Sequence, residues 1–343
     1  MMDLWTIIII SIIKILFVVT ITLLTVSYLV YFERKISAWV QDRIGPNRVG
    51  WYGLLQPFAD VFKLFLKEDI VPDASIKSIH TLAPIITLFV AFSTYAVLPW
   101  GPPVNIFGYE IPLVLADVNS GILIVLALTS LGVYGITFSG WASGSKYSLL
   151  GGVRSSAQMI SYEISMGFSV AGVLLISESL RPAAIIESQS GWMWNAFIQP
   201  IGFITFLVSA FAETNRLPFD LPEAEPELVG GYHTEYSSMK FAAFFLAEYA
   251  NMIISSGLIV TLYLGGWQVP YIETFGLSSG WVTMMQIGAF FFKVGAVLFF
   301  FIWVRWSIPR FKYNQLMNLG WKVMFPLALV NLVWVAILVM LLN

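Results

Sequence analysis

Long apolar segments recur along the whole of this 343-residue chain, and they constrain its fold more than any other feature. The hydrocarbon core of a bilayer is about 30 Å thick, and a helix needs about 20 apolar residues to cross it. Charged residues make up only 11% of the chain, against about 25% in a typical soluble protein. The sequence therefore predicts an all-α fold, a polytopic membrane helical bundle of about eight transmembrane helices within a single membrane domain, residues 1–343. The predicted spans are roughly 4–32, 80–99, 117–139, 157–178, 196–214, 239–265, 284–306 and 322–342.

Several residue types that carry chemistry are scarce or absent. The chain has no cysteine and only two histidines, His80 and His233. These counts exclude disulfides, cysteine-ligated iron–sulfur clusters and haem held between pairs of histidines within the bilayer. No spacing predicts a metal site, a nucleophile–base pair or a phosphate-binding loop, and the net charge of −2 does not indicate nucleic acid as a partner. We expect no cofactor on this chain, so any electron carriers would belong to other proteins.

The basic residues are distributed unevenly between the two sides of the predicted bundle. Fifteen of the 18 lysines and arginines lie in the loops of one side or at the span ends that border them, and only Arg181 lies on the other side. Cytoplasmic loops carry such an excess of Lys and Arg. We therefore expect long cytoplasmic loops and both termini on the periplasmic side. The first apolar segment is too long for a cleaved signal peptide, and a multi-pass protein of the bacterial inner membrane is favoured.

A shorter apolar segment, about 51–67, lies between the first two spans. Its leucines and phenylalanines recur with helical spacing on one face, whereas Gln56, Asp60, Lys63 and Lys67 lie elsewhere. That pattern is typical of an amphipathic helix that lies in the membrane interface. A docking helix on the soluble side is the alternative.

The ionisable residues that fall within or at the end of predicted spans include Glu163, Glu213, Glu248 and Lys293. A charged group at membrane depth costs at least about 2.5 kcal/mol, so such groups are candidates for a proton or ion path. The alternative is that they hold helices together through polar contacts. Three glutamates and a lysine in one small bundle favour the path.

An acidic inner loop, about 213–237, follows the fifth span. Three prolines at positions 218, 222 and 226 prevent a continuous helix. Glu223, Glu225 and Glu227 alternate, so an extended backbone would direct all three side chains the same way. Apolar residues separate these acids and Asp220. We expect a functional, partly buried loop whose carboxylates titrate together, the alternative being a solvated acidic loop.

The order and content of several motifs resemble one known family. The motifs are Phe32-Glu33-Arg34-Lys35, Arg43-Ile44-Gly45-Pro46-Asn47-Arg48, Gln56-Pro57-Phe58-Ala59-Asp60, Ile160-Ser161-Tyr162-Glu163, Ala212-Glu213-Thr214-Asn215-Arg216, Pro218-Phe219-Asp220, Tyr232-His233-Thr234-Glu235-Tyr236, Val304-Arg305, Pro309-Arg310 and Gln315-Leu316-Met317. From the first span to the eighth, the chain resembles the family of membrane subunits that join the two arms of respiratory complex I, the proton-pumping NADH:quinone oxidoreductase.

The resemblance implies a membrane subunit at the junction with the peripheral arm, through which quinone enters as substrate. The FMN and the iron–sulfur clusters would lie in partner subunits, including those that complete the quinone head site. Neighbouring small membrane subunits and the lipid bilayer would surround the chain. Positions that match the quinone passage are Arg34, Phe58, Asp60, Arg216, Glu225, Glu227 and Arg305, and positions that match the proton path are Glu163, Glu213, Glu248, Asp220, Glu223 and Tyr134.

Three other functions are compatible with the residues. A related subunit of an energy-converting hydrogenase or of a ferredoxin- or F420H2-linked complex would use a different catalytic partner. A self-standing ion transporter would also need buried acids, and a membrane scaffold would use them only to join helices. Purified alone, a transporter should move ions and a subunit of a larger complex should not, whereas a scaffold should tolerate neutral replacements of its acids.

Overall fold

The computed structural model describes residues 4–106, 109–191, 193–221, 225–275 and 278–342, and the regular structure in these ranges is almost entirely helical. A hairpin of two short antiparallel strands, β1 (Val104–Ile106) and β2 (Tyr109–Ile111), is the exception. The α-helices are α1 Leu4–Val40, α2 Gln56–Leu66, α3 Lys77–Thr94, α4 Gly121–Ala142, α5 Lys146–Ser177, α6 Pro182–Ser188, α7 Asn195–Ile198, α8 Pro200–Glu213, α9 Glu225–Leu228, α10 Ser238–Tyr263, α11 Ser279–Ser307, α12 Tyr313–Asn318 and α13 Phe325–Leu342. Short 3₁₀ turns occupy Trp51–Gly53, Gly231–His233 and Ile272–Phe275, and a π-helical turn, Leu319–Met324, joins α12 to α13.

Seven helices within the described ranges are long and apolar enough to cross a bilayer. They are α1, α3, α4, α5, α10, α11 and the continuous segment from α12 to α13. These helices correspond to seven of the predicted spans, and they confirm the all-α, polytopic membrane fold.

The fifth predicted span, 196–214, differs from the prediction. Its main helix, α8, has 14 residues, which at 1.5 Å per residue covers about 21 Å. Pro200 has no backbone N–H to continue the helix from α7, and Gln199 leaves the helical conformation at φ −132° and ψ 70°. The apolar segment is therefore divided into two helices, neither of which is as long as the hydrocarbon core is thick.

Two helices extend well beyond the apolar segments that predicted them. α1 continues from the predicted end at residue 32 to Val40, and α5 begins at Lys146 rather than near residue 157. The extra residues of α5 include small and polar ones that are buried, among them Gly151, Gly152 and Ser155. Hydropathy identifies only the part of a helix that lies in hydrocarbon, so a polar extension packed against protein is not detected by it.

α10 is the most buried of the seven long helices. It packs against α3 and α11, and more lightly against α1, α2 and α8. α5 joins the other half of the bundle, because it packs against α4, α8 and α13. Close approach between α3 and α4 requires Gly135, where a Cβ atom would lie 2.4 Å from Cγ2 of Thr87.

The loops between α1 and α3 and between α8 and α10 lie at the same end of the bundle. α2 lies in the first loop, contacts α1 and α10, and exposes Phe62, Phe65 and Leu66. Its placement in the membrane interface stays a prediction. In the acidic loop, the extended backbone expected for the alternating glutamates is wrong for 225–227, because Glu225–Leu228 forms a helical turn. Glu223 lies outside the described residues.

Candidate functional site

Arg216, in the loop after α8, is the centre of a buried ionic cluster. Its side chain is 1% exposed. Nη1 donates to Oε2 of Glu33 at 2.7 Å, and Nε donates to Oε1 of Glu248 at 2.8 Å. Burial lowers the pKa of Arg216, but the carboxylates of Glu248 and Glu33 outweigh it and raise the pKa well above its ordinary value. The guanidinium also lies 4.0 Å from the centre of the ring of Tyr249, and its Nη2 has no hydrogen-bond partner among the described residues.

Glu33, near the end of α1, joins the cluster to α10 and α11. Besides Arg216, its Oε2 accepts a hydrogen bond from the hydroxyl of Tyr249 at 2.8 Å, and its Oε1 accepts one from Nη1 of Arg305 at 2.5 Å. We call Glu33, Arg216, Glu248, Tyr249 and Arg305 the ionic cluster. Buried charges are tolerated when they are paired and hydrogen-bonded, and the two carboxylates and two guanidinium groups here balance.

Glu33 is not among the site residues that the sequence predicted. In the sequence Glu33 belongs only to a motif, because it falls just after the first predicted span. A signal was present in the sequence, because Glu33 follows the apolar residues Val26 and Leu29 at helical spacing. A carboxylate that continues the buried face of a helix needs a partner.

A second ion pair lies close to the ionic cluster. Nη2 of Arg310 donates to Oδ2 of Asp220 at 2.9 Å. Asp220 is 8% exposed, and its Oδ1 has no hydrogen-bond partner among the described residues. Burial raises the pKa of Asp220 to about 6, with Arg310 opposing the rise and Glu248 adding to it. Asp220 therefore changes its charge at a pH close to neutrality.

Glu213 and Glu248 line one internal cavity between α3, α4, α5, α8 and α10. The cavity has a volume of about 40 Å³, which is room for about three water molecules. Its other lining residues are Thr87, Val90, Thr129, Gly132, Ile136, Met159, Thr214, Asn215, Tyr232, Phe244, Ala247 and Asn251. Hydroxyl and amide groups among them supply the polar partners that buried water requires.

Glu163 lies on α5 beside the other end of this region. It accepts a hydrogen bond from the hydroxyl of Ser130 on α4. The preceding residue of α4, Thr129, contacts Glu213, and the carboxylates of Glu163 and Glu213 are close enough to repel each other. Neither carboxylate forms an ion pair with a described residue. The structure thus brings Glu163, Glu213 and Glu248 into one series that ends at the ionic cluster.

The predicted quinone-passage residues of α1 and α2 also lie together. Nη1 of Arg34 contacts Oδ2 of Asp60 at 2.6 Å, and Gln56 donates to Oδ1 of Asp60 at 3.1 Å. The ring of Phe58 contacts the ring of Tyr28 edge-on, at 6.4 Å between centroids. Phe58 is 41% exposed, so an apolar surface lies beside the Arg34–Asp60 pair.

Other predicted residues lie apart from these groups. Tyr134 is 55% exposed, and its ring contacts Phe138 at 6.0 Å between centroids. Glu227 is half exposed and pairs with Arg154 at 2.7 Å. Glu225 belongs to α9, but its side chain lies outside the described part of the molecule.

Lys293 does not contact the acids Glu163, Glu213 and Glu248 in the described part of the chain. Its Nζ donates to the backbone carbonyls of Leu264, Gly266 and Gln268 at 2.8, 3.0 and 2.8 Å. Those carbonyls follow the end of α10, where an intrahelical donor is missing. Lys293 therefore stabilises a helix terminus.

No group of three His, Asp or Glu side chains in the described ranges could hold a metal ion. The acids of the ionic cluster are paired with arginines, whereas Glu163 and Glu213 contact hydroxyls. The arrangement is suited to moving protons and to responding to a nearby charge.

Comparison with known proteins places the chain in a family. Residues 13–336 match the family described as NADH dehydrogenase. The chain is 50% identical over 316 residues to an NADH-quinone oxidoreductase H subunit of Cytophaga hutchinsonii, with 92% of each chain covered. It is 54% identical over 325 residues to NADH-quinone oxidoreductase subunit 8 of Rhodothermus marinus, covering 92% of this chain and 93% of that one. It is 52% identical over 330 residues to the NADH-quinone oxidoreductase H subunit of Salinibacter ruber, with 93% of each covered.

Proposed function

Because the chain belongs to the NADH dehydrogenase family and is a membrane subunit of an NADH-quinone oxidoreductase, we propose that it forms the quinone passage and couples quinone reduction to proton translocation. In this proposal the passage lies at the junction with the peripheral arm of the complex. The protons move through the series Glu163, Glu213 and Glu248.

The region between α1, α2 and α10 supports the placement of the passage. An isoprenoid quinone is largely apolar, and the exposed apolar side chains of α2, which include Phe58, offer it an apolar surface. The Arg34–Asp60 pair borders that surface at 2.6 Å. The head of the quinone would then approach Arg305, which is 24% exposed and is hydrogen-bonded to Glu33. Arg305 and Arg216 are suited to stabilise negative charge that develops on a reduced quinone.

The coupling follows from electrostatics in a buried site. Reduced quinone is anionic until it takes up protons, and a new negative charge near Arg305 competes with Glu33 for that guanidinium. A change in the pairing of Glu33 alters the field at Arg216 and hence at Glu248, which shares Arg216 at 2.8 Å. Charges interact strongly where the effective dielectric constant is low. The electrostatic field at Glu248 and at Asp220 would therefore respond to the redox state of the quinone.

The cavity carries the proposal, because it joins the ionic cluster to the unpaired acids. Glu248 belongs to the ionic cluster and also lines the cavity, whereas Glu213 lines the cavity and adjoins Glu163. About three water molecules fit there, and they would allow protons to pass between the two carboxylates. Asp220 and Glu223 would connect this series to the quinone head site through the acidic loop.

The remaining assignments are part of the same proposal. The partners are the other subunits of the complex, in particular the peripheral subunits that carry the last iron–sulfur cluster and small membrane subunits. FMN and the iron–sulfur clusters would be bound by partners, and quinone is the substrate. Both termini would face the periplasmic side of the bacterial inner membrane, with the long loops in the cytoplasm.

The replacement Glu163→Gln tests the proposal in the whole complex. Glutamine keeps the shape of the side chain and its hydrogen bond with Ser130, but it cannot take up a proton. We expect the complex to assemble and proton translocation to be lost, measured as proton uptake per NADH oxidised in inside-out membrane vesicles. Glu187→Gln, on the exposed surface of α6, is the matched control. A Glu163→Gln complex that translocates as many protons per NADH as the parent would contradict the proposal.

A further inference from the structure

A column of buried polar side chains begins next to Glu213 and extends away from the ionic cluster. Ser209 and Thr205 precede Glu213 by four and eight residues, so the three share one face of α8. Both are at most 1% exposed. We call Ser165, Ser169, Gln199, Thr205, Ser209 and Asn331 the polar column.

The α5 side of the column runs antiparallel to α8. Near the ionic cluster, Nε2 of Gln158 donates to the carbonyl of Ala212 at 2.8 Å. Farther along, the hydroxyls of Ser169 and Thr205 are 2.5 Å apart. Ser165 lies between these two contacts on α5, at about the level of Ser209 on α8, and it is fully buried. The two helices therefore face each other with hydroxyls over several turns.

The far end of the column is made of two amides. Nδ2 of Asn331, on α13, donates to Oε1 of Gln199 at 3.1 Å. Oδ1 of Asn331 accepts a hydrogen bond from the backbone N–H of Gly202 at 2.9 Å. Gly172 and Gly202 leave the space for this contact, since a Cβ atom at Gly172 would lie 2.5 Å from Oε1 of Gln199. Gln199 and Asn331 are both fully buried.

Three polar groups of the column have no hydrogen-bond partner among the described residues: Oγ of Ser165, Oγ of Ser209 and Nε2 of Gln199. Serines in helices of this chain commonly donate to the carbonyl four residues earlier, as Ser169, Ser177 and Ser256 do. Ser165 and Ser209 do not. Buried polar groups almost always have a protein or water partner, and a serine hydroxyl both donates and accepts. The unpaired groups indicate positions for ordered water.

We propose that the polar column binds a file of water molecules and carries protons between Glu213 and the end of the bundle opposite the ionic cluster. This inference rests on the proposed function, because it extends the same proton path. Serine and threonine side chains that only join helices would be expected to satisfy their own donors. Three unpaired groups in one column, starting four residues from a glutamate without a described cationic partner, fit water binding instead.

Removal of two hydroxyls tests the column in the intact complex. The variant Ser165→Ala with Ser209→Ala deletes both unpaired hydroxyls and leaves the backbone unchanged. We expect a loss of proton uptake per NADH oxidised in inside-out vesicles, with a normal content of the subunit in the membrane. Ser256→Ala is the matched control, since Ser256 is equally buried on α10 but lies outside the column. It should translocate protons like the parent.

The outcomes separate the column from the function on which it rests. If Glu213→Gln loses proton translocation while the double serine variant retains it in full, the column is structural and this inference is wrong, although the proposed function stands. If Glu213→Gln also translocates normally, the proposed function fails first. Should the double variant not assemble, Ser165→Ala and Ser209→Ala are measured singly. Parental proton uptake per NADH in both single variants would overturn the inference.

Discussion

Two acidic regions of this protein differ in the partners of their buried carboxylates. In the ionic cluster, Glu33 and Glu248 are matched by Arg216 and Arg305 at distances of 2.5–2.8 Å. Glu163 and Glu213 lie close to them along the bundle, but they contact the hydroxyl-bearing residues Ser130 and Thr129 and pair with no described cation.

The difference separates a fixed charge from an exchangeable one. A carboxylate held by two guanidinium groups gains its stability from being ionised, and protonation would leave those groups unpaired. A buried carboxylate without a cationic partner is stabilised less as an anion, because burial disfavours the charged form. Within the ionic cluster, Glu33 can therefore hold the position of the loop after α8. In the proposed function the protons move through Glu163, Glu213 and Glu248, each of which has at most one cationic partner among the described residues.

Arg216→Ala should break the first region and have the largest effect. It leaves Glu33 and Glu248 buried without their shared partner, and loss of one member of a buried pair costs about 3–5 kcal/mol. We expect little or no assembled subunit in membranes, measured by quantitative immunoblotting. Arg154→Ala is the control, since it removes an arginine from a pair with the half-exposed Glu227. Equal loss of the subunit in both variants would contradict the distinction between the buried ionic cluster and an exposed ion pair.

Neutralising one acid from each region compares them directly. Glu33→Gln leaves Arg305 without its counter-charge and leaves Arg216 with Glu248 as its one acidic partner among the described residues. It should lower the free energy of unfolding by about 2–3 kcal/mol, the cost of an uncompensated buried group. Glu213→Gln removes an acid with no cationic partner among the described residues and should change that free energy by about 1 kcal/mol at most, the net contribution of a hydrogen bond. Thermal denaturation of the solubilised complex measures both changes. Equal destabilisation would show that pairing with arginine does not distinguish the two acids.

The sequence predicted the fold well because length and apolarity determine which segments cross a bilayer. It also selected Glu163, Glu213 and Glu248, since an acid inside an apolar segment is conspicuous. It could not predict the break in the helix at Gln199, because the apolar segment continues across Pro200. It also placed Glu33 with the loop residues, because hydropathy cannot distinguish a charged residue in water from one paired inside the protein. Pairing depends on Arg216, which is 183 residues away along the chain.

Asp220 has a feature of each region, because it is paired with an arginine and its burial disfavours the charged form. It pairs with Arg310, yet burial raises its pKa to about 6. An acid whose pKa is raised by folding favours the folded state below its ordinary value of 3.8, and this contribution is lost as the pH rises through about 6. Asp220→Asn should remove this contribution to the pH dependence of the free energy of unfolding. It should also make proton translocation at pH 7 resemble that of the parent below about pH 6, as measured by paired pH profiles in vesicles. Parallel profiles for parent and variant would exclude Asp220 as the titrating group.

Arg34→Gln should give the smallest effect, because the Arg34–Asp60 pair differs from the ionic cluster in exposure and not in distance. The pair is 2.6 Å apart, but its side chains are 48% and 24% exposed. Exposed pairs contribute about 0.2–1 kcal/mol, and about 1 M salt shortens the range of their attraction to about 3 Å. The variant should therefore be slightly less stable than the parent in dilute buffer and equally stable in concentrated salt. The destabilisation by Glu33→Gln should persist in both, because bulk ions do not reach a cluster in which Arg216 is 1% exposed. If salt abolished both effects, the ionic cluster would have to be accessible to solvent, and the distinction between fixed and exchangeable acids would no longer hold.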